Sequence, residues 1–194
     1  MKYTLASLQT RSPHQPPLSI TEATMEPVAV LDFCSTCGHD LRQLRGVWPK
    51  ECPNTACKTV HYHPVHTVVL GLIYDDQGPL IIQRGIEPGK GGWAFPGGYQ
   101  NYGETIEQAA IREIWEEIGI TVEPAALQYF GSALSNTGNK SLVFFVARVP
   151  DLEQQPRRLC PTETLDSAIA TTGSQLCFPS HQDMLAKFFE THAR

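Results

Sequence analysis

The chain has 194 residues, 41% of them hydrophobic and 18% charged, which is enough for one packed domain and a small attachment. No run approaches the ~20 apolar residues of a membrane-spanning helix, and residues 1–20 lack the apolar core of a secretory signal, so the expectation is a cytoplasmic protein with no membrane partner. The net charge of −5 argues against broad electrostatic binding to nucleic acid, and any phosphate-bearing ligand would need a local cation.

Residues 1–31 contain Pro13, Pro16, Pro17 and Pro27 with no apolar periodicity between them, which predicts a flexible N-terminal segment. Residues 32–63 are bounded by cysteines. Cys34 and Cys37 form C-x2-C, Cys52 and Cys57 form C-x4-C, and Cys160 and Cys177 stand apart. Six cysteines so unevenly placed do not make a disulfide framework. Four thiolates around a tetrahedral Zn²⁺ would instead fold a segment with too little apolar mass to fold alone. The competing reading is buried or redox-active cysteines, but no βαβ context surrounds Cys34 and Cys37; His39, His61 and His63 are substitute ligands that four cysteines make unnecessary. Closed coordination implies a structural role. The nearly balanced charge of this unit suits support of the fold or a homodimer contact better than nucleic-acid binding.

From residue 64 to 194 the signals are those of one α/β domain. "HTVVLGLIY" (66–74) reads as a buried strand, "DDQG" (75–78) as a turn, and "PLIIQR" (79–84) as the returning strand of a hairpin. The glycine-rich stretch 85–98 reads as a loop with a short strand at Trp93–Phe95. Residues 105–118 have a helical period, with Gly119 as C-cap. Two more strands are expected at 127–134 and 141–149 around the turn "SNTGN", and a last helix from Ser180 to His192.

The helix at 105–118 carries the chemistry. On a wheel of ~100° per residue Ile111, Ile114, Trp115 and Ile118 form one apolar stripe, and Glu113, Glu116 and Glu117 fall on the opposite side. Like charges at i, i+3 and i+4 repel, so the acids either face water or share a partner. Three neighbours favour a partner: the preceding glycine-rich loop, Glu104 near the helix start, and Arg112, whose guanidinium can orient carboxylates. Hard oxygen donors at this density suit Mg²⁺ or Mn²⁺.

Gly98, Glu104, Arg112, Glu113, Ile114, Glu116, Glu117, Gly119 and Ile120 match every fixed position of G-x5-E-x7-R-E-U-x-E-E-x-G-U, where U is apolar. In this the chain resembles the Nudix hydrolase family, and "WAFPGG" (93–98) resembles the family's lead-in. The resemblance implies an α/β/α sandwich with a mixed sheet and hydrolysis of a nucleoside diphosphate linked to another moiety. It also implies Glu113 and Glu117 as principal ligands of Mg²⁺ or Mn²⁺, Glu116 as a further ligand or water-holder, the Gly97 carbonyl as another ligand, and Arg112–Glu104 as a structural ion pair. The catalytic candidates are therefore Glu113, Glu116 and Glu117, with Glu163 as general base; Asp166 and Glu116 are the other bases to weigh. Lys90 and Arg84 could contact phosphate, although a solvated lysine and a sheet-edge arginine are the plainer readings. Phe178 is read as core before an aromatic wall for a base, and His181 as a polar residue at a helix start.

A four-cysteine zinc ribbon before such a domain is similar to the branch holding NADH pyrophosphatase and related FAD- or ADP-ribose-cleaving hydrolases. The chain departs from the NADH enzymes where they carry a Ser-Gln-Pro-Trp-like run; here the region reads "YFGSALSNTGNKS", which counts against NADH. The implied partner is a small nucleotide such as ADP-ribose, FAD or NADH. The rival reading is a ligand-sensing or nucleic-acid-binding module with a vestigial hydrolase domain and the ribbon as reader; the intact carboxylates disfavour it.

Overall fold

The computed structural model describes residues 31–192, so the segment expected to be flexible, 1–31, lies outside the described residues except for Leu31. Cys34 and Cys52 are buried around Leu41, with Leu31, Leu44 and Cys57 packed against them. Two tight turns present the cysteine pairs: Gly38 (φ +72°) donates its N–H to the Cys34 carbonyl, and Cys57 and Lys58 both donate to the Asn54 carbonyl. A short antiparallel pair, β1 (Lys50–Glu51) and β2 (Val60–His61), joins the two halves.

β3 (His66–Tyr74) is apolar on both faces because both faces are covered. Leu70 and Leu72 point one way, into a core with Phe95, Phe144, Leu185 and Phe188. Val69 and Ile73 point the other way, into clusters with Ala109, Ala110, Ile114 and Ile118. Side chains of α1 (Ile106–Ile118) thus fill one side and those of α2 (Pro179–His192) the other, giving an α/β/α sandwich. At Gly71 the contact with α1 is so close that a Cβ would stand 2.5 Å from Ile114 Cδ1.

In the larger sheet β3 pairs antiparallel with β6 (Gly97–Tyr99) and parallel with β8 (Lys140–Arg148), which in turn pairs antiparallel with β7 (Gln128–Leu134). A second, antiparallel sheet has the order β5 (Trp93–Ala94), β4 (Leu80–Arg84), β9 (Thr164–Ile169).

Three expectations change. The hairpin over 66–84 exists only at its tip, as a bridge between Tyr74 and Pro79; both edges of β3 are taken by β6 and β8, so β4 departs into the second sheet. The glycine-rich stretch contains β6 beside the shorter β5, since glycines are what allow a strand to lie this close to β3: a Cβ on Gly97 would fall 2.0 Å from the Val69 carbonyl oxygen. β9, "TLDSAI", is a strand that its polar composition did not announce; it forms by pairing with β4, Leu80 opposite Ile169.

Candidate active site and metal centres

α1 starts at Thr105, whose side chain accepts the Gln108 N–H while the Gln108 side chain accepts the Thr105 N–H, and stops at Gly119 in the left-handed conformation (φ +73°). Between these caps the acids do not share one solvated face. Glu113 and Glu117 are buried, at 9% and 5% exposure, whereas Trp115, expected in the apolar stripe, is half exposed beneath the guanidinium of Arg158, 4.7 Å from its ring centre. The wheel misplaces them because α1 is covered on two sides. Ile114 and Ile118 meet β3, while the flank bearing Glu113 and Glu117 meets the Gly97–Gly98 backbone.

The contact with that backbone is direct. Gly97 donates its N–H to Glu117 Oε2 at 2.8 Å, and a Cβ on Gly98 would lie 2.6 Å from Glu113 Oε2. Arg112 ties the remaining acids together. Its guanidinium donates to both oxygens of Glu104 (2.7 and 3.1 Å), to Glu113 Oε1 (2.7 Å), to Glu116 Oε2 (2.8 Å) and to the Tyr99 carbonyl (2.9 Å). This is the expected Arg112–Glu104 pair, extended to two further acids. Glu104 is held below the usual carboxylate range by its bonds from Arg112 and from the Asn101 N–H.

Glu117 has no cation paired with it among the described residues. Burial pushes its carboxyl up to about 8, against the Gly97 N–H and assisted by the negative charges of Glu113 and Glu163. Burial also raises Glu113, opposed by Arg112. Two buried carboxylates held above their ordinary range, with oxygens against glycine backbone, form a donor set that a divalent cation would neutralise. The residues present therefore fit a divalent cation that takes oxygen donors.

Of the base candidates, Glu163 is brought to the cluster: its charge acts on both Glu113 and Glu117, and its carbonyl accepts the Gly85 N–H at 2.7 Å. Asp166 lies on β9 opposite Gln83, and its carboxylate accepts the N–H of Ser167. Glu116 is half exposed and held by Arg112. Lys90 is exposed on the loop after β4.

Sequence reasoning underrated two residues. Arg84 ends β4 with its guanidinium 5.2 Å from the centre of the Phe178 ring and near enough for its charge to act on Glu117, so it is more than a sheet-edge arginine; Phe178 is half buried under it. His181 stands at the start of α2, as expected, but it is buried there and accepts the Phe95 N–H on Nδ1 at 3.1 Å. The signal was available: positions 181, 184, 185 and 188 have the i, i+3, i+4, i+7 spacing of a core-facing stripe.

In the cysteine unit Cys34, Cys37, Cys52 and Cys57 place their sulfurs within 4.8 Å of one another, with Cys34–Cys57 and Cys37–Cys52 each at 3.7 Å. Four sulfurs about 2.3 Å from a tetrahedral ion are separated by about 3.8 Å, so the cluster could hold one metal ion. His61 Nε2 lies 3.3 Å from the Cys34 sulfur, beside the four rather than among them.

A family profile described as the NUDIX domain matches residues 64–179. Over 139 residues the chain is 31% identical to the NAD-capped RNA hydrolase NudC of Mannheimia succiniciproducens, covering 70% of this chain and 50% of that protein. It is 44% identical to the ADP-ribose pyrophosphatase of Methanocaldococcus jannaschii over 61 residues, covering 31% of this chain and 36% of the other. The matches thus span about half or less of these relatives' lengths. Among solved structures, a NUDIX hydrolase from Nitrosomonas europaea superposes with a TM-score of 0.60 at 21% identity, over 84% of this chain and 94% of that one, a likeness of fold. No described helix is long and apolar enough to cross a membrane.

Proposed function

This chain belongs to the Nudix family, and we propose that it hydrolyses the diphosphate bond of a nucleoside diphosphate linked to a second moiety, with a divalent cation held by Glu113, Glu116, Glu117 and the Gly97 carbonyl. The observation that carries this reading is Glu117, a buried carboxylate with a backbone donor and no paired cation among the described residues. Bound there, Mg²⁺ or Mn²⁺ would supply charge neutralisation for the diphosphate and a lowered pKa for an attacking water.

The chain's own residues do the rest. The Gly97 N–H fixes one oxygen of Glu117, and Arg112 fixes Glu113 and Glu116, so the acids are oriented before substrate arrives. Glu163, facing the same cluster, is the general base that would take the proton of the water. Arg84 supplies the local cation that an acidic chain needs for a phosphate-bearing ligand, and Phe178, stacked beneath it, offers a face for a planar base. Residues 32–63 act as a structural zinc ribbon on the hydrolase domain of residues 64–194.

The substrate class is a nucleotide cofactor or nucleotide sugar: ADP-ribose, FAD or NADH, with NAD-capped RNA added by the relatives' names. The deciding experiment incubates the protein with these and with dinucleoside polyphosphates, in Mg²⁺ and in Mn²⁺, and identifies the products. Release of a nucleoside monophosphate from at least one, lost in Glu117→Gln, is the expected result. No hydrolysis of any of them, with tight salt-sensitive binding of DNA instead, would favour the regulatory reading.

A further inference from the structure

Phe95, Pro96 and Gly97 are consecutive residues between or at the ends of short strands, and each is tied to a different element. Gly97 donates its N–H to Glu117 on α1 at 2.8 Å, and the Pro96 carbonyl accepts the N–H of Gly71 on β3 at 2.9 Å. Phe95 donates its N–H to His181 Nδ1 on α2 at 3.1 Å. Proline has no N–H to contribute, so the amide of Phe95 is the handle by which the far layer of the sandwich can hold this segment.

The His181 ring is itself fixed. It stacks on Phe95 with ring centres 5.6 Å apart at 17°, meets Phe144 edge-on at 5.5 Å, and packs against Phe178 at 5.1 Å. Burial, with a smaller contribution from the charge of Arg84, depresses its pKa to about 3, so the ring is neutral and Nδ1 is free to accept. With Nδ1 accepting, the proton of the neutral ring resides on Nε2.

We propose that His181 is a positioning residue for the metal site: by accepting the Phe95 N–H it anchors the Phe95–Gly97 segment from α2 and so fixes the Gly97 amide against Glu117. The inference rests on the metal reading above. It extends that site to a side chain from the opposite face of the sheet, which touches neither ion nor substrate.

Two variants separate the acceptor from the ring. His181→Phe keeps an aromatic ring and loses the acceptor; His181→Asn loses the ring and keeps an oxygen close to the place of Nδ1. Mn²⁺ affinity, read from the electron paramagnetic resonance of the free ion, is expected to fall by about tenfold in H181F, the scale of losing an outer-shell partner. The Mg²⁺ concentration for half-maximal activity should rise in parallel. H181N should recover Mn²⁺ binding to within about twofold of wild type, well inside that loss, even where its melting temperature is lower. Wild-type Mn²⁺ binding in H181F, or equally weak binding in H181N and H181F, would overturn the proposal. Failure of the wild-type protein to bind Mn²⁺ would overturn the metal reading and the inference with it.

If H181F does not accumulate folded, amide hydrogen exchange of the wild-type protein decides. Coupling is reciprocal, so saturating Mg²⁺ should increase protection at Phe95 and in the first turn of α2. Unchanged protection there, with Mg²⁺ bound, would overturn it.

Discussion

A Cβ on Gly98 would stand 2.6 Å from Glu113 Oε2. The glycine is required for closeness of approach, since the carboxylate occupies the space any side chain would take. Gly98→Ala should displace Glu113 and lower kcat by roughly 10²-fold, the scale of losing one preorganised electrostatic partner, while circular dichroism stays that of the folded protein. A kcat within about twofold of wild type would show that the Glu113 position is not critical.

Glu117 gives the pH prediction. Its carboxyl is raised from an ordinary 4.5 to about 8 by burial. Between those values the folded chain holds a proton that the unfolded chain has released, so this group's contribution to stability is present below the lower value and is lost as pH rises through the upper one. Without divalent cation the melting temperature should therefore decline from acid toward pH 8 through this group. Stabilisation by Mg²⁺, which needs the ionised carboxylate, should grow over the same range. Glu117→Gln should remove both slopes and cut turnover by about 10²-fold or more. Thermal melts with and without Mg²⁺ across this pH range check it; equal Mg²⁺ stabilisation at acid pH and near pH 8 would contradict it.

Arg112 donates to Glu104, Glu113, Glu116 and the Tyr99 carbonyl from one guanidinium. Arg112→Ala should destabilise the fold by about 2–4 kcal/mol, because Glu104 and Glu113 are left without their cation in a partly buried setting. Arg112→Lys keeps the charge but cannot reproduce the fork, and should recover less than half of that loss. Urea denaturation of the three proteins measures it.

The four clustered sulfurs predict about one Zn²⁺ per chain by elemental analysis, lost in Cys34→Ser and in Cys52→Ser. The core clusters of the α/β domain contain none of the cysteine unit's residues, so its cooperative unfolding should persist after the metal is removed. A single transition abolished by chelator would show that the two units fold as one.

Arg84, stacked on Phe178 and acting on Glu117, should contribute to substrate binding. Arg84→Gln is expected to raise KM about tenfold with a smaller change in kcat, as loss of a contact made to ground state and transition state alike. An unchanged KM for the best substrate of the panel would remove Arg84 from the site.

Much of the fold was legible because long apolar runs have few alternatives. Residues 66–74 form the central strand with the expected bounds, and the helix ends fall at Thr105 and Gly119, where capping chemistry is local. The short elements were not legible. β6 is made of glycines and a tyrosine, and β9 mixes Thr, Asp and Ser with Leu165, Ala168 and Ile169; each is a strand only because a neighbour offers an open edge. The hairpin over 66–84 failed for the converse reason: pairing partners are assigned by competition across the whole sheet, and β6 and β8 hold both edges of β3.

The sequence by itself determined the acids, the arginine and their spacing on α1, and the four cysteines, because helix geometry and ligand type are properties of neighbouring residues. Only the tertiary structure decided that Glu113 and Glu117 are buried against Gly97 and Gly98 while Glu116 stays half exposed on Arg112, that the charge of Glu163 acts on both buried acids, and that His181 reaches the same loop from the opposite layer. Burial and pairing depend on which surfaces meet, and those surfaces come from segments far apart in the chain. The wheel of a single helix holds the charges but says nothing about what covers them.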